Sequence, residues 1–403
     1  MTRVATDQAS ALGASSVSQL LELWAERTPR AVALRYKQHG RWHERSYGAL
    51  AAEVRQLAAA LASFGVGVGG ALGVYGTSAP QLLTAALAAL RLGAPVVSVA
   101  PGAERARLRE LLFAPEVKAV LVQGQAELFG LLSPEELSGQ SAHGRVLAVS
   151  DERDASAELS IGSHAGWLSL GERSGVGLPQ LAAANVLAFL AHPGAPGSPA
   201  QTLDHASLVA AVPAVLAQDA RSAAPDVAGR ARGGRHELLL FDGVLGAVQR
   251  ELGLGLWLGT GGVLNLPEPH GSSLRDLSEI GPSALLASDD ALAALTRAVE
   301  ARFPASGSWR RRWLQRALEA HGAGVLDALL ITRPLRRHLG VSRLQHVWVL
   351  DGARVQADAQ LWIALGAQLR DGRQPAQPPR VRGDAAPAEL AGVHIETAGD
   401  AST

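Results

Sequence analysis

Residues 191–201, AHPGAPGSPAQ, place Gly194, Gly197 and Pro199 between an apolar run and a helical run. Glycine bends in that setting can bare backbone N–H groups to a bound phosphate, with hydroxyls and a lysine completing the grip. Here Ser198 is the only hydroxyl and no lysine is present. The segment keeps the bends of a nucleotide loop without the groups that hold a nucleotide.

Other residues invite a chemical reading more weakly. Gly65, Gly67 and Gly70 satisfy GxGxxG, but that fingerprint needs a strand before it and a helix after it. The pattern here reads helix first and strand second, which predicts a flexible helix-to-strand turn. Asp204 and His205 follow the opening loop, and Asp204 reads as a helix cap. His192 with His205 lacks an evident third ligand, so no metal site is expected. Residues 308–316, SWRRRWLQR, carry Trp309, Trp313 and Leu314 among four arginines. They read as a peripheral helix of the fold, with contact to an anionic membrane as the alternative. No GxSxG, HExxH or paired CxxC is present.

Composition narrows the classes. The 403 residues are 47% hydrophobic and formally neutral, so a large core is available and bulk charge does not favour nucleic acid. Without cysteine there are no disulfides, thiolate zinc sites or cysteine nucleophiles. The first 15 residues carry Arg3 and Asp7 without a long apolar core, which predicts no signal peptide. No apolar run suits a membrane span, and a cytoplasmic protein is expected. Of the 37 basic residues only Lys37 and Lys118 are lysines, so chemistry needing a later lysine is excluded within this sequence.

The elements that would position these groups alternate. Residues 17–26 read as a helix, followed by an extended pair turning at Gly40 and a helix capped by Ser46. Strands are expected at 71–75, 95–99, 117–122 and 145–149, with helices at 79–91 and 103–113, and 150–165 as loop. A second block runs through strand 186–191, helix 205–217, a flexible 219–235, strand 236–241, helix 243–255 and strand 262–266. It continues with helix 274–279, strand 283–287, helices 289–302, 308–320 and 324–338, strand 344–350 and helix 356–365. Such alternation predicts parallel sheets covered on both faces. Residues 375–403 are too poor in large apolar residues to offset ordering entropy and read as disordered.

Residues 17 to about 377 resemble the N-terminal part of the AMP-binding, adenylate-forming enzymes (the ANL superfamily). The likeness is spread along SVSQLLELWAERTPRAVAL and RSYGALAAEVRQLAAALASFGVGVGGALGVYGTSAPQLLTAALAALRLGAPVVSVAP. Residues 289–350, a basic helical stretch leading to RRHLG, resemble the long-chain fatty acyl-CoA synthetase branch. The resemblance implies a carboxylate attacking the α-phosphate of ATP with magnesium, then transfer of the acyl group to coenzyme A. It also implies a phosphate loop like SGTTGxPK.

Against that pattern the chain keeps Gly194, Gly197 and Pro199, with Ser198 the remaining hydroxyl. The hydroxyl positions fall on Pro193, Ala195 and Pro196, and the lysine position on Ala200. The two prolines also delete backbone donors. The family histidine of an LPLxH stretch falls on Asp242, where a carboxylate would repel an acyl carboxylate or a phosphate. The adenine turn becomes Asp351–Arg354. The Tyr, Thr and Glu of GYGxTE fall on Arg373, Ala376 and Gln377, and Gln377 lacks the charge that favours Mg²⁺.

The expected fold is therefore α/β, with two parallel-sheet lobes in a layered αβαβα arrangement and no C-terminal domain. The expected division is a flexible 1–16, a first lobe at 17–181, a second lobe with the degenerate loop at 182–370, and a disordered tail at 371–403. The expected function is that of a catalytically impaired homologue that binds or scaffolds, with no catalytic residue and no cofactor. Its partner would be a protein on the face left open by missing lobes, or an apolar or acyl ligand. The alternative is a fatty acid adenylating or CoA ligase, using ATP, magnesium and coenzyme A, completed by a separate chain.

Overall fold

The computed structural model describes residues 14–77, 79–99, 102–181, 183, 186–192, 201–209, 236–240, 247–268, 273–303, 333–349 and 361–371. Helix α1 (Val17–Arg27) is capped by Ser16 and leads to the hairpin β1 (Val32–Gln38) and β2 (Arg41–Ser46). The hairpin turns on His39 and Gly40, both at positive φ, as a two-residue turn between right-twisted strands requires. Ser46 caps α2 (Tyr47–Ser63) by accepting from Ala49 N at 3.2 Å, as its position predicts. The chain then alternates through β3 (Ala71–Tyr75), α3 (Pro80–Arg91), β4 (Val96–Val99), α4 (Arg105–Leu112), β5 (Val117–Val122), α5 (Gln125–Leu131) and α6 (Pro134–Leu137). Next come β6 (Val146–Val149), β7 (Ile161–Ser163), α7 (His164–Ser174), β8 (Leu187–His192) and β9 (Gln201–Asp204). The remainder is β10 (Glu237–Leu240), α8 (Ala247–Thr260), β11 (Val263–Leu266), α9 (Ser273–Ile280), β12 (Ala284–Ala287), α10 (Asp289–Glu300), α11 (Arg333–His338), β13 (His346–Val349) and β14 (Gln368–Asp371).

Two seven-stranded sheets result. One has the order β7-β6-β5-β3-β4-β8-β9 and the other β14-β13-β12-β10-β11-β1-β2. Each is parallel except at one edge, where β9 runs against β8 and β2 against β1. Side-chain alternation makes three cores from these two sheets. Leu72, Val74, Ala119 and Leu121 of one sheet share the middle core with Leu238, Leu240, Leu264 and Leu286 of the other. Helices α1, α2 and α3 and Trp257 of α8 fill the space between them. The opposite side chains, such as Val120 and Val122, pack outward on Leu108, Leu112, Leu128 and Leu131. Leu239, Leu285 and Val347 pack outward on Leu277, Leu292, Leu295 and Trp362. This is the expected αβαβα layering.

Buried indole and phenol donors tie the layers together. Trp257 donates to Ala33 O at 2.8 Å, and Tyr47 to Gly262 O at 2.8 Å. Gly171 of α7 is a close approach, because a Cβ there would overlap the carbonyl oxygen of Gln56 on α2. The glycines at 65–70 form the expected reversal. Gly67 and Gly70 exchange two backbone bonds at 3.0 Å, and a Cβ on Gly70 would overlap Gly65 O. Their glycine content answers a steric need of the turn.

Strand membership crosses the expected division at 181/182. The β1–β2 hairpin joins the second sheet, through β1 beside β11, and β8–β9 joins the first, through β8 beside β4. Chain order does not fix sheet membership when crossover connections choose the neighbour. The stretch 150–165, expected as loop, contains β7 and the first two residues of α7, started by Ser163 accepting from Gly166 N. Strands β9 and β14 were also not anticipated. All three are only three or four residues long, too short for an alternation to register. Helix α8 lies a few residues later than expected. The sequence expectations at 1–13, 210–235, 304–332 and 372–403 fall outside the described residues.

Candidate functional site

The site begins with the strand ends that carry the loops. Val99 of β4 pairs with His192 of β8, and Ala191 pairs with Gln201 of β9. The two ends of the glycine loop are thus held side by side at the carboxyl edge of the first sheet. The loop residues Pro193, Gly194, Ala195, Pro196, Gly197, Ser198, Pro199 and Ala200 lie outside the described residues. Instead of leading straight into a helix, the loop is followed by β9.

After β9, Asp204 Oδ1 accepts from Ser207 N at 2.7 Å, the capping bond read from the sequence. His205 is fully buried, and neither ring nitrogen has a hydrogen-bond partner. Burial, partly opposed by the Asp204 charge, lowers its pKa to about 4, so it is neutral at pH 7. Among the described residues no group of three or more His, Asp or Glu is arranged to hold a metal.

The strands of the second sheet precede the other positions singled out in the sequence. Strands β10, β12, β13 and β14 are parallel neighbours, pairing Leu240 with Leu286, Trp348 with Leu286, and Val349 with Asp371. Their carboxyl ends therefore share one edge, the edge at which ligands bind in open α/β sheets. Asp242 follows β10, Asp351–Arg354 follow β13, and Arg373 and Gln377 follow β14. These residues lie outside the described residues. At about 4.8 Å per strand, β10 and β14 stand about 14 Å apart.

The two lysines are placed elsewhere. Lys118 begins β5, at the amino edge of the first sheet, and donates to Pro115 O at 2.9 Å. Lys37 is buried on β1 and bonds Asp276 at 2.5 Å and Glu279 at 2.8 Å. Burial works against its charge, but these two carboxylates outweigh it and raise its pKa. Burial likewise opposes ionisation of Glu279 less than Lys37, Trp42 and Arg275 favour it, and its pKa falls to about 2.

Sequence reasoning missed two openings. A crevice of about 380 Å³ lies at the carboxyl ends of β1, β5, β6 and β11, bounded by Gln38, Gln123, Asp151 and Glu268. A second cavity of about 460 Å³ is enclosed by the β1–β2 hairpin, α2, α3 and α7. It brings together Arg45, Glu53, Thr84 and His164. They come from four elements and form no motif, so no linear signal marks them.

Residues 21–201 match the family model described as AMP-binding enzyme. No curated protein matches the chain. Among solved structures, VinN in complex with L-aspartate is 16% identical, with a TM-score of 0.57 over 88% of this chain and 74% of its own. The A domain of carboxylic acid reductase from Segniliparus rugosus, in complex with AMP and a co-purified carboxylic acid, is also 16% identical. Its TM-score is 0.60, over 92% of this chain and 61% of its own. Coronafacic acid ligase from Pectobacterium brasiliense is 11% identical, with a TM-score of 0.60 over 88% of this chain and 60% of its own. At these identities the likeness establishes the fold, that of the N-terminal adenylate-forming domain. The chain thus shares the fold of the N-terminal adenylate-forming domain, and its residues 21–201 are similar to the AMP-binding enzymes.

Proposed function

We propose that this chain is a catalytically impaired member of the superfamily, working by binding and not by adenylation. The observation that carries the reading is the position of its only lysines. Lys118 sits at the opposite edge of the first sheet from the loop after β8, and Lys37 is committed to Asp276 and Glu279. Neither can replace the lysine lost at Ala200. The prolines at 193 and 196 remove backbone donors at the same place. A phosphate with neither charge nor donors loses the interactions that offset its desolvation. These residues do not fit a bound triphosphate.

The class of ligand in this reading is an acyl or other apolar chain, following the likeness of residues 289–350 to the fatty acyl-CoA synthetase branch, or a protein partner. The setting is cytoplasmic, with residues 308–316 as a further contact to an anionic membrane. The test is ATP–pyrophosphate exchange by the purified chain with a panel of fatty acids. No exchange above the protein-free blank is expected, and robust exchange would overturn the reading.

The second reading is a fatty acid adenylating ligase, using ATP, magnesium and coenzyme A, completed by a separate chain. It rests on the fold that the chain shares with the reductase A domain and coronafacic acid ligase. Exchange that appears only when a co-purifying polypeptide is added would select it.

A further inference from the structure

We propose that the cavity between the β1–β2 hairpin, α2, α3 and α7 binds a small organic ammonium ion, with its amine on Glu53 and its apolar body against Leu34, Tyr36 and Leu168. The inference is independent of whether the chain adenylates, because none of these residues belongs to the phosphate-loop edge.

The cavity, about 460 Å³, falls within the range of small-molecule sites, which pair mostly apolar walls with a few converging polar groups. Its polar end is not self-sufficient. The Glu53 carboxylate is ion-paired at Oε2 with Arg45 Nε at 3.5 Å, while Oε1 has His164 Nε2 at 3.9 Å, beyond hydrogen-bond distance. Arg45 is 41% exposed and is shared with the face of Tyr36, 5.5 Å from its ring centroid. His164 is buried, and its position beside Thr84 fixes its proton. The Thr84 hydroxyl donates to Gln81 O at 3.0 Å, so it accepts from His164 Nε2–H at 3.0 Å.

The charges around Glu53 follow from this. Burial, more than the opposing Arg45 charge, raises the pKa of Glu53. Burial and Arg45 together hold His164 down to about 4, so the imidazole brings no positive charge at pH 7. From β1 and α3 the facing polar groups are Tyr36, Gln81 and Thr84. The carboxylate therefore lines an open cavity with Arg45 as its ion pair at Oε2 and with Oε1 facing only the neutral His164. A ligand ammonium would add a charge-assisted bond at Glu53 Oε1, and the aliphatic walls would take its apolar part.

Isothermal titration of the full chain with 2-phenylethylamine at pH 7.5 tests this. Saturable binding is expected, weakened at least tenfold by Glu53→Gln and by the cavity-filling Ala52→Phe. Thermal unfolding would verify that both variants are folded. The neutral isostere 2-phenylethanol should bind at least tenfold more weakly than the amine. Absence of amine binding at millimolar concentration overturns the proposal. So does undiminished binding by folded Glu53→Gln, or equal affinity for the alcohol.

Discussion

Two buried histidines, one behind the phosphate-loop edge and one beside the cavity, share a pKa near 4 but reach it in different settings. His205 follows β9 with both ring nitrogens unpartnered. His164 is bonded to Thr84 and stands 3.9 Å from Glu53, in a place that no motif announces. The first region is recognised by a linear pattern in the sequence. The second is recognised by what it still offers to a ligand. A depressed histidine pKa alone does not separate the two, because desolvation dominates in both. The bonding partners separate them.

Acid should produce the largest response, from both regions together. A histidine whose folded pKa is depressed contributes stability that is fully present above its unfolded pKa, near 6.5. That stability is lost as pH falls through the window from 6.5 to about 4. The expected loss is on the order of 3 kcal/mol for each histidine. Denaturant unfolding at pH 7 and pH 4.5 measures it. His205→Met and His164→Met should each flatten the dependence, and variants that track the parent across this window would contradict the burial of these rings.

Next in size is the helix contact that holds only one of the regions. Gly171→Ala forces α7 away from Gln56 and should cost about 2–3 kcal/mol by overpacking. It should also impair amine binding, since α7 carries His164 and Leu168. A variant with unchanged stability would show that the α2–α7 crossing is looser than described.

The smallest effects carry the sharpest contrast, at pH 7. His205→Met removes a buried group without a partner and should be neutral or stabilising by up to about 1–2 kcal/mol. His164→Met removes the bond to Thr84 and should destabilise by about 1 kcal/mol or more. Equal effects of the same sign would erase the distinction between the regions.

The phosphate-loop edge was largely legible along the chain. Gly194, Gly197 and Pro199 stand in one short segment, and the departures at Pro193, Ala195, Pro196 and Ala200 are visible against a linear pattern. The Asp204 cap and the glycine reversal at 65–70 were also readable, because capping and tight turns are local. The cavity was not readable. Arg45, Glu53, Thr84 and His164 span 120 positions, and the polar stretch containing His164 read as loop. Strands β7, β9 and β14 escaped notice because three or four residues carry too little periodicity.

By itself the sequence determined the layered α/β class and pointed to the likeness of residues 21–201 to the AMP-binding enzymes. Those depend on local pattern and on residue identity, which chain order preserves. Only the tertiary structure decided that the β1–β2 hairpin completes the second sheet and β8–β9 the first. It also decided that Lys37 is spent on Asp276 and Glu279, and that Glu53 faces a cavity beside a neutral His164. Those depend on which surfaces meet when the middle helices are buried between two sheets, and on the desolvation that follows.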